Sequence, residues 1–271
     1  MARRHQFHAS SRRHEGHKRA HPRDIRQALA ALSPMRRIIA SATFALCLPI
    51  LIIGAIFAYL IFVVAGIFGG KTLKKARYIV HYIWSRATVF STLSRVQVHG
   101  IGRIPRGGSV VVYSNHASFF DIPILSGFVL PDAVYIARRG LALSPVIRAA
   151  GGAIIEQRST RRELANIRGI VSKIKAGSSF IIFPEGTRTR DGNIGALKSG
   201  SMKIAQWAGV PAVPVRIEGS LNLLPRWRIW PRSADIDVFV GEPISPDEIE
   251  RDPTVSLAKL QSFFENKTNC I

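Results

Sequence analysis

His116 and Asp121 stand five residues apart in the stretch VVVYSNHASFFD, where an apolar run gives way to a polar turn. At 3.6 residues per turn, positions five apart are about 140° apart around a helix. The two side chains meet only if His116 lies in the turn and Asp121 in the first helical turn after it. A histidine at a strand end beside an acid suits a general base held in one tautomer. A helix cap is the competing reading. Ser118 at the N-cap and an acid three residues on fit a capping box, which accounts for Ser118 and Asp121 and leaves His116 without a task.

Three further stretches repeat the pattern of an apolar run ending in a turn. In FIIFPEGTRTRDG, Pro184 and Gly186 shape the turn, and Arg188 and Arg190 offer planar, permanently charged forks suited to phosphate. Glu185 would orient an arginine, or the loop is solvated and its charges pair with one another. In GAIIEQRSTRR, a short apolar run leads to Arg158, with Arg161 and Arg162 at a helix start. In VPAVPV, prolines bracket an apolar strand, which predicts an edge or a strand start lining a cleft. A histidine–acid pair with several arginines, and no serine or cysteine nucleophile in a strained turn, equips base-assisted transfer onto a hydroxyl of a phosphate-bearing substrate.

The elements that must position these groups follow from periodicity. After residue 95 short apolar runs alternate with helix-length segments. Strands are expected near 95–99, 109–113, 133–137, 153–155, 179–183, 212–217 and 235–240, and helices near 119–129, 141–150, 161–176, 199–208 and 254–266. Such alternation predicts an α/β domain over 95–271, a mostly parallel mixed sheet flanked by helices. Ligands of such sheets sit beyond the carboxyl ends of the strands, where these turns fall.

Ahead of it, Ile38 to Gly70 runs for 33 residues without a charge. A spanning helix needs about 20. Pro49 and Gly54 could break the run, and Lys/Arg-rich flanks on both sides prefer one face of a membrane. A single membrane-embedded helix and a re-entrant hairpin are both open, the flanks favouring the hairpin. Residues 71–94 read as an interfacial amphipathic helix with Tyr78, Tyr82 and Trp84 among basic residues. Residues 1–37 read as a basic Arg/His-rich disordered tail, with a short helix from Pro22 to Leu32. Its five histidines lack the acid or cysteine cluster of a metal site, so no metal is expected.

The net charge is +21, of which residues 1–37 hold +8 and the rest of the chain +13. Both parts therefore want an anionic partner. No nucleic-acid-binding motif is present, so an anionic phospholipid membrane is expected and nucleic acid is not. A non-catalytic basic membrane or nucleic-acid-binding protein is the contrasting reading, and it leaves His116 idle. The two cysteines, Cys47 and Cys270, have neither metal nor redox spacing.

The blocks NHASFFD, GAIIEQR, FPEGTRT and VPAVPV, in this order, resemble those of the glycerolipid acyltransferase family, in particular the bacterial 1-acylglycerol-3-phosphate acyltransferases. The resemblance covers about residues 95–220. It implies an acyl thioester donor (acyl-CoA or acyl-acyl carrier protein), a lysophospholipid acceptor, no cofactor, and phosphatidic acid as product. It implies His116 as catalytic base and Asp121 as the acid that orients it. Arg158, Glu185, Gly186, Thr187 and Arg188 match residues that the family assigns mainly to binding the acceptor's phosphate. Arg138 falls where many relatives carry lysine. The implied location is the cytoplasmic (inner) membrane, with the catalytic domain facing the cytoplasm. Gln157 stands where relatives have an acid, with Glu156 one place earlier. That departure keeps a phosphate-free acceptor, a lyso-ornithine lipid, in view.

Overall fold

The computed structural model describes residues 22–138, 144–155 and 160–266. The core is a seven-stranded sheet in the order β1-β7-β6-β2-β5-β3-β4. Its strands are β1 (Arg95–His99), β2 (Val111–Ser114), β3 (Val134–Arg138), β4 (Ala153–Ile155), β5 (Phe180–Ile182), β6 (Ala212–Glu218) and β7 (Asp235–Val240). Neighbours are parallel except β6 and β7, so β1 and β7 run against the other five. Val111, Val112, Tyr113 and Ser114 are all buried, as are Phe180, Ile181 and Ile182. Continuous apolar runs of this kind belong to strands covered on both faces. One face carries Val112, Ile181, Val213, Ile124 and Leu125. The other carries Val111, Tyr113, Phe180, Ile182, Ile170 and Ile174.

Helices α4 (Asp121–Phe128), α5 (Ser144–Ala149), α6 (Thr160–Lys175), α7 (Met202–Ala208) and α10 (Pro253–Glu265) follow the expected order. Two short helices escaped sequence reading: α8 (Ser220–Leu223) and α9 (Pro246–Arg251). Helix α9 starts with a capping box formed by Ser245 and Glu248.

The proline expectation for VPAVPV needs correction. Strand β6 is interior, between β2 and β7, and Pro214 lies within it opposite Tyr113. The β6–β7 ladder begins only at Val215 opposite Val240, and the Pro214 carbonyl accepts from Gly241 N–H. The N–H that proline lacks therefore falls where that ladder has not begun.

Ahead of the domain, α1 runs unbroken from Pro22 to Ile67, through Pro49 and Gly54. No re-entrant hairpin forms inside 38–70, and the short helix expected at 22–32 continues into the apolar one. The turn comes at Phe68 and Gly69, where Gly69 has φ 98°, and α2 (Gly70–Val80) folds back. Phe62 packs edge-on against His81, and Trp84 Nε1 donates to the Leu51 carbonyl at 3.1 Å. The expected 71–94 helix is three pieces: α2, a π-helical turn over His81–Ser85, and α3 (Arg86–Phe90). Along α1 a narrow stripe is buried, Ala40, Leu51, Ala58, Phe62 and Ala65, while Ile50, Ile53, Ile56, Phe57 and Ile67 on other faces are exposed. Residues Pro34–Ile67 are long and apolar enough to cross a membrane.

Candidate active site

Parallel register brings the two central turns to one rim of the sheet. Tyr113 of β2 is aligned with Ile182 of β5. His116 and Glu185 each follow their aligned residue by three positions, so they emerge side by side. They touch directly: His116 N–H donates to Glu185 Oε1 at 2.9 Å. The second carboxylate oxygen accepts from Gly195 N–H at 3.0 Å, and Thr189 N–H donates to the His116 carbonyl at 2.8 Å. Glu185 thus ties the histidine turn to the 186–195 loop, and among the described residues it pairs with no arginine in doing so. Burial above all raises its pKa, while the Gly195 and His116 N–H bonds oppose the shift.

His116 Nδ1 and Asp121 Oδ2 are 2.8 Å apart. The same oxygen accepts from the Ala117 and Ser118 backbone N–H groups at 2.7 and 2.8 Å. Asp121 is fully buried. With Oδ2 already accepting from two backbone N–H groups, Nδ1–H is the donor of the pair, which leaves Nε2 to take a proton. The ring is further held by Phe183, stacked at 3.9 Å between centroids and 14° between planes. The stack comes from the FPEGT block, whose phenylalanine sequence reading left without a role.

The cap reading holds only in part. Helix α4 begins at Asp121 itself, and the cap position, Phe120, has no side-chain cap bond. The Ser118 hydroxyl accepts from Phe120 N–H at 3.2 Å and donates to the Leu224 carbonyl at 2.9 Å. Asp121 bonds back to Ser118 N–H, as a capping box requires, and the same oxygen holds His116. Capping and orienting are one arrangement. Asn115 closes the turn from the other side, with its side-chain amide donating to the Ile217 carbonyl and accepting from Ile217 N–H.

His116 lines a cleft of about 620 Å³. Gly186, Thr187, Arg188 and Lys198 line it, together with Ile122, Ile136, Ile147, Ile155, Ile167 and Ile170. Gly186 has φ 71°, a left-handed conformation, and a Cβ there would lie 2.7 Å from Lys198 Cε and Nζ. Lys198 was missed from sequence because it stands ten residues beyond Arg188 with no strand end to mark it. Its N–H donates to the Pro184 carbonyl at 3.0 Å, which fixes it over the turn. Of the other predicted residues, Arg138 is the last residue of β3, paired with Ile155, and its side chain lies outside the described residues. Arg158 also lies outside them, as do the side chains of Arg161 and Arg162. Arg190 is exposed and does not line the cleft, and neither does any residue of VPAVPV.

Residues 95–218 match the family model described as Acyltransferase. The chain is 29% identical over 157 residues to the 1-acyl-sn-glycerol-3-phosphate acyltransferase BAT2, chloroplastic, of Brassica napus, covering 56% of this chain and 45% of that protein. It is 29% identical over 182 residues to the 1-acyl-sn-glycerol-3-phosphate acyltransferase of Borreliella burgdorferi, covering 65% of this chain and 68% of the relative. The chain spans about half the length of the chloroplast relatives it matches. The crystal structure of the 1-acyl-sn-glycerophosphate (LPA) acyltransferase PlsC from Thermotoga maritima superposes with a TM-score of 0.72 at 25% identity, covering 86% of this chain and 95% of that one. The histidine and arginine turns share a rim of one parallel sheet inside the matched segment, so residues 95–218 resemble the Acyltransferase family model in sequence and carry their candidate site within the matched stretch.

Proposed function

We propose that this chain moves an acyl group from a thioester donor to the free hydroxyl of 1-acylglycerol-3-phosphate, giving phosphatidic acid. One observation carries the reading: a histidine with Nδ1 anchored on a buried carboxylate lines the same cleft as Arg188 and Lys198 and a set of isoleucines. The acceptor's phosphate suits the guanidinium of Arg188 and the ammonium of Lys198. Hydrocarbon suits the isoleucine walls. Cleft volumes of about 300–1,000 Å³ hold ligands of drug or cofactor size.

In the transfer, His116 Nε2 takes the proton of the acceptor hydroxyl as its oxygen attacks the thioester carbonyl. The C–O bond forms, the C–S bond breaks, and the proton passes from Nε2 to the departing thiolate. Asp121 keeps Nδ1 protonated and stabilises the transient imidazolium. Phe183 fixes the plane of the ring, and Glu185 holds the backbone that carries it. The donor, acyl-CoA or acyl-acyl carrier protein, is a co-substrate, and no cofactor is required.

The exposed apolar faces of α1 support insertion in a membrane, since soluble monomers rarely expose contiguous patches of more than a few hundred Å². We place the catalytic domain on the cytoplasmic face of the inner membrane, where lysophospholipid and thioester donor meet. Purified chain and His116→Ala, assayed with lysophosphatidic acid and acyl-CoA, test the mechanism: near wild-type transfer by the variant would overturn it. Competition between lysophosphatidic acid and lyso-ornithine lipid tests the acceptor, and preference for the phosphate-free lipid would replace it.

A further inference from the structure

The segment PRWRIWPR, Pro225 to Arg232, lies outside the cleft and outside every element of the sheet. Its apolar side chains point away from the protein: Ile229 is 85% exposed, Trp227 64% and Trp230 47%. Arg226 and Arg232 are exposed as well, and no acid occurs between Glu218 and Asp235. The loop is nonetheless braced. Arg228 N–H donates to the Pro225 carbonyl at 3.1 Å, Arg228 Nη1 to the Asn222 carbonyl at 3.1 Å, and Arg232 N–H to the Leu223 carbonyl at 2.9 Å. Pro225 and Pro231 are buried, and Leu223 is part of the core. A firm base thus holds the tryptophans and the isoleucine in the open, where each fully exposed large side chain forgoes about 1.5–3 kcal/mol of burial.

The position of the loop identifies what covers it. Ser41 of α1 donates its hydroxyl to the Pro231 carbonyl at 2.7 Å. Arg37 is one turn earlier, immediately before the uncharged run that opens at Ile38. Burial, then the nearby Arg232 and Arg37 guanidiniums, lower the Arg228 pKa, as expected of cations gathered without an anion. The cluster therefore sits at the level where the apolar part of α1 begins. Tryptophans among arginines at that level match an interfacial belt, with indoles at the headgroup boundary and guanidiniums on phosphates.

We propose that the 225–232 loop is a second membrane contact, which seats Trp227, Ile229 and Trp230 in the headgroup layer of an anionic bilayer beside the entry of α1. It rests on the reading that α1 enters that bilayer. The loop's root also accepts the Ser118 hydroxyl through Leu224, so seating the loop places the catalytic turn close to the lipid surface.

The test uses the full chain reconstituted in vesicles of phosphatidylcholine and phosphatidylglycerol, with part of the lipid brominated on its acyl chains. In a Trp84→Phe, Trp207→Phe background, emission comes from Trp227 and Trp230 alone. The expected result is at least about a two-fold loss of emission with brominated lipid and weak quenching by aqueous acrylamide, as for indoles at an interface. A companion chain with Trp207, Trp227 and Trp230 changed to Phe keeps Trp84, which packs on α1, and reports insertion separately. Quenching of Trp84 with Trp227 and Trp230 still open to acrylamide overturns the loop contact while leaving insertion intact. That pattern marks a surface kept for a protein partner. Absence of bromolipid quenching in both chains overturns both. The readout needs no turnover, so a His116→Ala chain gives the same quenching, and failure of the acyl-transfer reading is told apart from failure of this one.

Discussion

Replacing Asp121 by asparagine keeps the shape of the catalytic turn and removes only a charge and an acceptor. Asp121 Oδ2 takes His116 Nδ1–H, Ala117 N–H and Ser118 N–H, and an amide oxygen in its place can still receive all of them. The amide nitrogen then occupies the site of Oδ1, which is buried and has no hydrogen-bond partner among the described residues. A donor stranded there costs about 1–3 kcal/mol of stability. The larger effect is on the base. Asp121 stabilises the imidazolium that forms in the transition state, and a hydrogen bond to a charged group contributes about 1.5–3 kcal/mol. At about 1.4 kcal/mol per ten-fold, its loss lowers kcat by about 10- to 100-fold. The assay is acyl transfer by Asp121→Asn, His116→Ala and the double variant, with thermal melts to confirm folding. Asp121 acts through His116, so the double variant should be no slower than His116→Ala alone. An Asp121→Asn chain of wild-type kcat, or a double variant whose losses multiply, would refute the coupling.

Lys198→Met should raise KM for lysophosphatidic acid by about ten-fold, the scale of one lost charge-assisted hydrogen bond, and leave an acceptor without phosphate unaffected. Steady-state kinetics on the two acceptors decide it. Gly186→Ala should cost about 1–3 kcal/mol in urea unfolding, because φ 71° is strained for alanine and the new Cβ displaces the end of Lys198. A neutral substitution would count against the turn as drawn. Glu185→Gln should destabilise the chain by about 1–2 kcal/mol at neutral pH, since an amide cannot accept both from His116 N–H and from Gly195 N–H. Its pH dependence has a definite sign. Burial raises the Glu185 pKa in the folded state, so its protonation favours folding below the ordinary carboxylate range, and that gain fades as pH rises through the folded value. The stability gap between wild type and variant should therefore widen on acidification, and a gap that narrows would reverse the assignment.

Much was legible because the relevant physics is local. A run such as VVVYS has one outcome in a covered sheet, and an uncharged stretch of 33 residues has few. Five-residue spacing alone required His116 to be outside α4 if it was to meet Asp121. Other features depended on partners distant in the chain. Pro214 looked like an edge residue because the start of the β6–β7 ladder is set by where Val240 falls. Pro49 and Gly54 looked like breakers, but the buried stripe of α1 packs against the chain beyond it, and Gly54 lies against the Trp84 ring there. A Cβ at that position would come within 3.1 Å of the Trp84 ring. The chain folds back only after Ile67, with α2 packed along α1, a pairing that composition cannot express.

The sequence by itself determined the α/β order of elements, the apolar helix ahead of it and the condition under which His116 and Asp121 could meet. Each of these rests on the periodicity or spacing of residues near one another in the chain. Only the tertiary structure decided that Glu185 clamps the histidine turn, that Phe183 stacks on the imidazole, and that Lys198 stands over Gly186. Those contacts exist because parallel register sets β2 and β5 level, and register is a property of the assembled sheet.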